Sequence, residues 1–255
     1  TSDILLKPYF GGLGDSLQFS TLPEEFFKQQ GKITYLLSGA NFNNREIYDL
    51  VWGLNPYIKG IKDGEWGAGD LPKFDVNNNT NNWISNWEYL HGLEPTNIRP
   101  KIYYKPNLID GLKDSILVDL SSVSLNHNNM DTGYNLDEVE RSYRKFKENN
   151  LDKKFSVIKF KSDISNINRY VPEHDDVIEV ESIYHYCDLI YSSYAICGFH
   201  SGLIVLAASI QRYNKDLNIN CIVSPVLYDK MMGWVNNTTR LGAFYLDYVN
   251  YIVTN

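Results

Sequence analysis

Two short stretches of this chain combine residue types and spacings that suit proton and anion chemistry. The first is Gly11-Gly12-Leu13-Gly14-Asp15. Glycines let a backbone turn sharply and approach a ligand closely. A helix fed by such a loop points unpaired N–H groups at that ligand, where its dipole favours negative charge. Asp15 at the helix start has two readings. It can cap the helix, or it can take a proton from a hydroxyl as a general base. The loop is neither a Walker loop, since it lacks Gly-Lys-Ser/Thr, nor the G-x-G-x-x-G dinucleotide fingerprint. The second stretch is Gly198-Phe199-His200-Ser201-Gly202-Leu203. The Ser201 hydroxyl and the N–H groups of Gly202 and Leu203 are placed to hold a phosphate at a helix N-terminus. His200 can donate a hydrogen bond to a phosphate or a sugar hydroxyl. The competing reading makes Ser201 a helix cap and His200 an exposed linker.

Other residues admit weaker readings. His127 follows a strand of the second half, where ligands gather outside the carboxyl ends of strands. His127 and His174 also read as solvated loop residues, and His91 and His185 as packing or surface residues. Trp66, Trp83 and Trp87 crowd one region with Tyr89, either as a stacking platform for sugar or base or as ordinary core. Cys187, Cys197 and Cys221 include no Cys-x-x-Cys pair, so neither a disulfide framework nor a thiolate metal site is expected.

The elements that must hold these residues are legible from punctuation and period. Ile4–Leu6 reads as a strand ended by Lys7-Pro8. The glycine loop follows, then a helix from Ser16 to about Gln30, with a kink or late start imposed by Pro23. Ile33–Leu37 is the next strand. Arg45–Trp52 reads as a helix, Ile58–Ile61 as a strand and Trp83–His91 as a helix closed by Gly92. In the second half, Ser115–Leu120 is a continuous apolar run suited to a parallel strand buried on both faces. Leu136–Asn149 is a charged amphipathic helix, Phe155–Phe160 and Val177–Val180 are strands, and Ile183–Ser192 is a helix. Tyr194–Phe199, the His200 turn and Leu203–Tyr213 repeat the strand, turn and helix pattern. Cys221–Ser224 reads as a strand and Phe244–Val253 as a closing helix. Alternating strands and helices predict an α/β protein with two halves, residues 1–110 and 111–255.

Bulk properties narrow the function classes. The chain has 255 residues, 43% of them hydrophobic and 22% charged, which excludes disorder, collagen and coiled coil as descriptions of the whole. The net charge of −7 gives no basic face of the kind that announces broad nucleic-acid binding. The most apolar window, residues 195–210, contains His200 and Ser201 and falls short of the roughly 20 apolar residues of a membrane span. The first residues read as a strand of the fold rather than a signal segment, and a cytoplasmic setting with reduced cysteines is expected.

Taken in order along the chain, the motifs resemble a known group. GGLGDSLQFSTLPE (residues 11–24), NPYIKGI (55–61), DLIYSSYAICGFHSGLIVLAAS (188–209) and IVSPVLYDKMMGW (222–234) are similar to successive segments of the ADP-heptose:lipopolysaccharide heptosyltransferases, glycosyltransferase family nine. The resemblance implies the GT-B fold class: two Rossmann-like α/β/α domains facing each other across a cleft. It implies an inverting, metal-independent glycosyltransferase in glycan or polysaccharide assembly. Its donor would be a nucleotide-diphosphate sugar and its acceptor a glycan hydroxyl, with no further cofactor. Asp15 matches the loop aspartate proposed as general base, with Gly11, Gly12 and Gly14 lining the acceptor side. His200, Ser201, Gly202 and Leu203 match the donor phosphate turn, and Lys159 and Lys161 are candidates for the phosphate lysine. The chain departs from the pattern at His200, which stands where the family has an aspartate, and at Val205, which stands in place of a histidine. No Asp-x-Asp motif suggests a metal-dependent variant. Two alternatives stay open: a viral glycosyltransferase acting on modified DNA bases, and a degenerate module that binds nucleotide sugar without turnover. At 255 residues, each half is expected to be pared down relative to GT-B enzymes.

Overall fold

The computed structural model describes residues 3–8, 11–40, 42, 44–65, 68–69, 82–122, 134–161, 168–169, 175–235 and 246–254. The chain divides into two compact units, one over Thr1–Lys105 with Phe244–Asp247 and one over Pro106–Ala243 with Tyr248–Asn255.

In the first unit the order is β1 (Ile4–Lys7), α1 (Leu13–Leu17), α2 (Leu22–Gln30), β2 (Thr34–Leu37), α3 (Arg45–Tyr48), β3 (Ile58–Lys62), β4 (Ala68–Gly69) and α4 (Trp83–Leu90). The helix expected from Ser16 to Gln30 is two helices. It starts earlier, at Leu13, and breaks over residues 18–21, because Pro23 fits only the first turn of a new helix. Gly31 closes α2 at φ +64, its N–H bonded to Phe27 O at 3.0 Å, a left-handed cap that suits glycine. A π-helical turn, Asp49–Gly53, continues α3. The sheet has the order β3-β2-β1-β4 and its pairs are parallel. Strand direction therefore sends the carboxyl ends of β1 and β2 to one edge, from which the Gly11–Asp15 loop departs.

The second unit runs β5 (Ser115–Asp119), β6 (Ser121–Ser122), α5 (Leu136–Glu148), β7 (Lys154–Phe160), β8 (Asn168–Arg169), β9 (Asp176–Val180), α6 (Ile183–Ser192), β10 (Ala195–Phe199), α7 (Gly202–Ile210), β11 (Asn218–Val223), α8 (Pro225–Val235) and β12 (Asn250–Val253). The six-stranded sheet β12-β11-β10-β5-β7-β9 is parallel throughout, and β6 and β8 form a separate antiparallel pair. All five residues of β5 and of β10 are buried, as the apolar runs require of central parallel strands. Ile116, Val118 and Leu120 of the β5 run join Cys197, Phe199 and Ile222 in a core under Val139 and Tyr143 of α5. The chain end corrects one expectation: Asn250–Val253 is a strand paired to Asn220–Val223, not part of a closing helix. Its apolar residues complete the ladder beside β11, a long-range pairing that outweighs local helical period. Residues 225–235 form α8.

Among the described residues no helix is long and apolar enough to cross a membrane. Cys187, Cys197 and Cys221 are free thiols, and burial pushes all three above the ordinary thiol range, so they stay neutral and inert.

Candidate active site

In each unit the strand order reverses direction at one point. The first unit proceeds from β1 through β2 to β3 and then places β4 on the other side of β1. The second proceeds from β5 through β7 to β9, then returns to β10 on the opposite side of β5 and continues outward. Open parallel sheets bind ligands outside the carboxyl ends of the strands at such switch points, where successive connections diverge and leave a crevice. The Gly11–Asp15 loop leaves β1, and the His200–Ser201 turn leaves β10. Both sequence motifs therefore stand at switch points of their own sheets.

Around the first loop, Gly12 occupies the N-cap position of α1 in extended backbone, φ −69 and ψ 160, and its carbonyl accepts from the Ser16 N–H at 3.0 Å. Asp15 is thus not the cap. It lies half-buried in the first turn. One turn later the Gln18 side-chain oxygen accepts from both the Trp83 and Trp87 indole N–H groups, at 2.9 and 2.7 Å. Trp87 packs on Phe19 at 4.7 Å, and both indoles are buried. The platform reading of these tryptophans is corrected: they are core residues that pin the end of α1. His91 packs edge-on against Phe19 and Phe26, a structural role. Trp66 lies outside the described residues.

A polar clamp fixes α2 behind the loop. Lys101 donates to Glu24 at 2.6 Å, Tyr103 donates to Glu24 at 3.0 Å, and Asn97 donates to Glu25 at 2.9 Å. Burial alone would raise the Glu24 carboxyl, but hydrogen bonds from Lys101, Lys28 and Tyr103 outweigh it and hold it at about 2. Glu88 is fully buried and accepts from the backbone N–H groups of Thr96 and Asn97. Burial dominates there and raises its carboxyl above the ordinary range.

At the second turn, Ser201 is the N-cap of α7 by position, yet its side chain makes no capping bond. The Ile204 N–H bonds to Ser201 O at 3.2 Å, whereas helix geometry gives the Gly202 and Leu203 N–H groups no acceptor within the helix. Gly198 is what lets this turn form. A Cβ there would lie 2.4 Å from Leu203 Cδ2 and 2.9 Å from Asp119 O, so only glycine lets the first turn of α7 press onto β10. Lys161 follows β7 on the same carboxyl edge, with β5 between it and β10, and pairs with Glu181 at 3.2 Å. Lys159 is an exposed residue within β7, in register with Glu179. His127 and His174 lie outside the described residues. His185 accepts from the Glu181 N–H at 3.3 Å, beside the N-terminal turn of α6.

Two residues absent from the sequence reading belong to this edge. Asp119 ends β5 opposite Gly198, buried, and accepts from the Tyr186 hydroxyl at 2.7 Å. An acid ending an apolar strand was the available signal. Tyr134 precedes α5, packs its ring 4.8 Å from Phe199 and donates to Ile222 O at 3.1 Å. That oxygen lies 88 positions along the chain, so no local pattern pointed to it.

No family model and no curated protein matches the sequence. Solved structures match the fold. The iron-containing dodecameric glycosyltransferase TibC from enterotoxigenic E. coli H10407 is 15% identical, with a TM-score of 0.56 over 86% of this chain and 57% of that one. The glycosyl transferase family 9 protein from Veillonella parvula DSM 2008 is 10% identical, TM-score 0.57, over 98% of this chain and 85% of that one. E. coli heptosyltransferase WaaC with ADP is 9% identical, TM-score 0.53, over 100% and 94%. The chain has the GT-B fold of the heptosyltransferases. It spans 57% of the length of TibC, which has also been solved with ADP-D-beta-D-heptose. Among the described residues no three His, Cys, Asp or Glu side chains gather as a metal site requires.

Proposed function

We propose that this chain is a glycosyltransferase that moves a sugar from a nucleotide-diphosphate donor to an acceptor hydroxyl in glycan assembly, with inversion and without a metal. The observation that carries the reading is the position of both motifs at switch points: an acid at one, a phosphate-suited helix N-terminus at the other. The donor class follows from the N–H groups of Gly202 and Leu203 and the Ser201 hydroxyl, a neutral cradle for a diphosphate, and from the ADP-sugar held by TibC.

In this mechanism the Asp15 carboxylate takes the proton of the acceptor hydroxyl. The freed oxygen pair attacks the anomeric carbon opposite the leaving group, and the bond between that carbon and the β-phosphate oxygen breaks. In-line attack inverts the anomeric centre. The departing diphosphate carries its new charge onto the α7 N–H groups, which are already oriented and need no reorganisation. His200 donates to the diphosphate or to a sugar hydroxyl. Lys161 supplies positive charge on the same edge. The three free thiols accord with a reducing, cytoplasmic setting.

A thermal-shift panel of nucleotide sugars tests the reading, because a ligand that binds only the folded state raises the melting temperature. A shift by at least one nucleotide-diphosphate sugar, followed by product formation with a glycan acceptor, is expected. No shift by any donor would sink the proposal. A second reading, binding without turnover, is favoured by His200 standing where the resembled family has an acid. A shift without product for any acceptor would select it.

A further inference from the structure

We propose that Tyr134 is a positioning residue for the diphosphate turn, and that its phenol sets where the N–H groups of Ser201, Gly202 and Leu203 point. The inference rests on the glycosyltransferase reading above and deepens it.

The argument begins with the ends of the parallel ladders. Where β12 pairs with β11, the ladder extends one residue past the Val253 and Val223 pair, with the Thr254 N–H bonded to Val223 O at 2.9 Å. Where β7 pairs with β9, the Lys161 N–H likewise bonds to Val180 O at 3.0 Å, past the Phe160 and Val180 pair. The same step past Phe199 and Ile222 would join the His200 N–H directly to Ile222 O. There the Tyr134 hydroxyl donates to Ile222 O at 3.1 Å and takes that acceptor instead. The phenol stands in for the next rung where the turn departs. Its ring leans on Phe199, the last residue of β10, at 4.8 Å.

Tyr134→Phe keeps the ring and removes the rung. The His200 N–H then closes directly on Ile222 O, and the turn is drawn toward β11. The test is calorimetric titration of the full chain with ADP, UDP, GDP and CDP, with a melting curve for each variant. For the diphosphate that the wild type binds, affinity falls about tenfold in Tyr134→Phe, as expected for misdirecting one charge-assisted hydrogen bond. The melting temperature stays close to the wild type, because the direct rung replaces the bond from the phenol to Ile222 O. A merely structural Tyr134 would lower the melting temperature and leave affinity untouched, which would overturn the proposal. Phe199→Leu removes the ring support but keeps the hydroxyl bond to Ile222 O. It shows a smaller loss of affinity and carries the test should Tyr134→Phe fail to fold; unchanged affinity there would then overturn the proposal. If the wild type binds none of the four diphosphates, the glycosyltransferase reading itself fails. If it binds one and Tyr134→Phe binds it equally well, only the role of Tyr134 fails.

Discussion

The β1–α1 and β10–α7 junctions occupy equivalent places in their own sheets but are built from opposite materials. The first feeds a five-residue helix that carries an acid in its first turn. The second feeds a nine-residue helix, GLIVLAASI, that has no charge and is buried from Leu203 to Ile210. A buried apolar helix cannot shift, and nothing on it screens its dipole, so its N-terminus is a fixed partial positive charge suited to an anion. A one-turn helix has little dipole to offer. Its value lies in the side chain it presents and in the anchors that hold it, the two indoles on Gln18. The difference teaches that one strand-turn-helix plan can present an acidic side chain in one unit and an uncharged helix N-terminus in the other.

The largest effect expected from breaking this comparison is at Asp15. Asp15→Asn keeps shape and loses the proposed base, so transfer falls by about 10²- to 10⁴-fold. Diphosphate affinity stays unchanged, since the proposed phosphate turn lies in the second unit. Initial rates beside a calorimetric titration separate the two, and an unchanged rate would remove Asp15 from the mechanism.

Next comes the clamp on α2 behind the first junction. Lys101→Met leaves the Glu25 carboxylate without a cation and Glu24 with Lys28 alone, and costs about 3 kcal/mol. Tryptophan fluorescence in urea reads this, because Trp52, Trp83 and Trp87 are all buried in that unit. Acid tests the same clamp. The folded Glu24 carboxyl lies at about 2, below its ordinary 4.5, so its contribution is complete above pH 4.5 and is lost as pH falls toward 2. Glu88 has the opposite sign. Its raised carboxyl makes protonation favour the fold, so it offsets part of that acid loss. Lys101→Met should flatten the loss between pH 4.5 and 2; an equally steep decline would assign it elsewhere.

Gly198→Ala probes the second junction. Its Cβ must displace Leu203 and the Asp119 carbonyl, which costs about 1–3 kcal/mol by overpacking. A denaturant midpoint equal to the wild type would show that the turn has slack.

The smallest effect is also the sharpest. Replacing a capping serine by alanine usually costs about 1 kcal/mol. Ser201 makes no side-chain capping bond, so Ser201→Ala should change stability by less than about 0.5 kcal/mol. Diphosphate affinity should nonetheless fall several-fold. A full capping loss with unchanged affinity would return Ser201 to a purely structural role.

Much of this was legible in the residues themselves. The Ile-Leu-Leu and Ser-Ile-Leu-Val-Asp runs both form strands, and the second is buried throughout. Pro23 and Gly31 bound α2 through a missing donor and a left-handed cap. Leu13 to Gln18 was harder, because a one-turn helix has too few residues to show a period. Phe244–Val253 misled for the opposite reason: its aromatic and aliphatic spacing fits a helix face, but pairing with β11 decided the matter. The tryptophans could not be assigned from spacing, since an indole looks alike in a core and on a platform until its N–H partner is known.

What the sequence determined by itself was local: where strands start, where glycine must stand, and which short turns could meet a phosphate or a proton. Tertiary structure decided what depends on distant partners. It set the order of strands, and so placed both turns at switch points. It brought Tyr134 to Ile222 and Tyr186 to Asp119 across 88 and 67 positions. Local pattern reports only what neighbours along the chain impose, whereas hydrogen bonds and buried contacts between distant residues exist only once the sheet has formed.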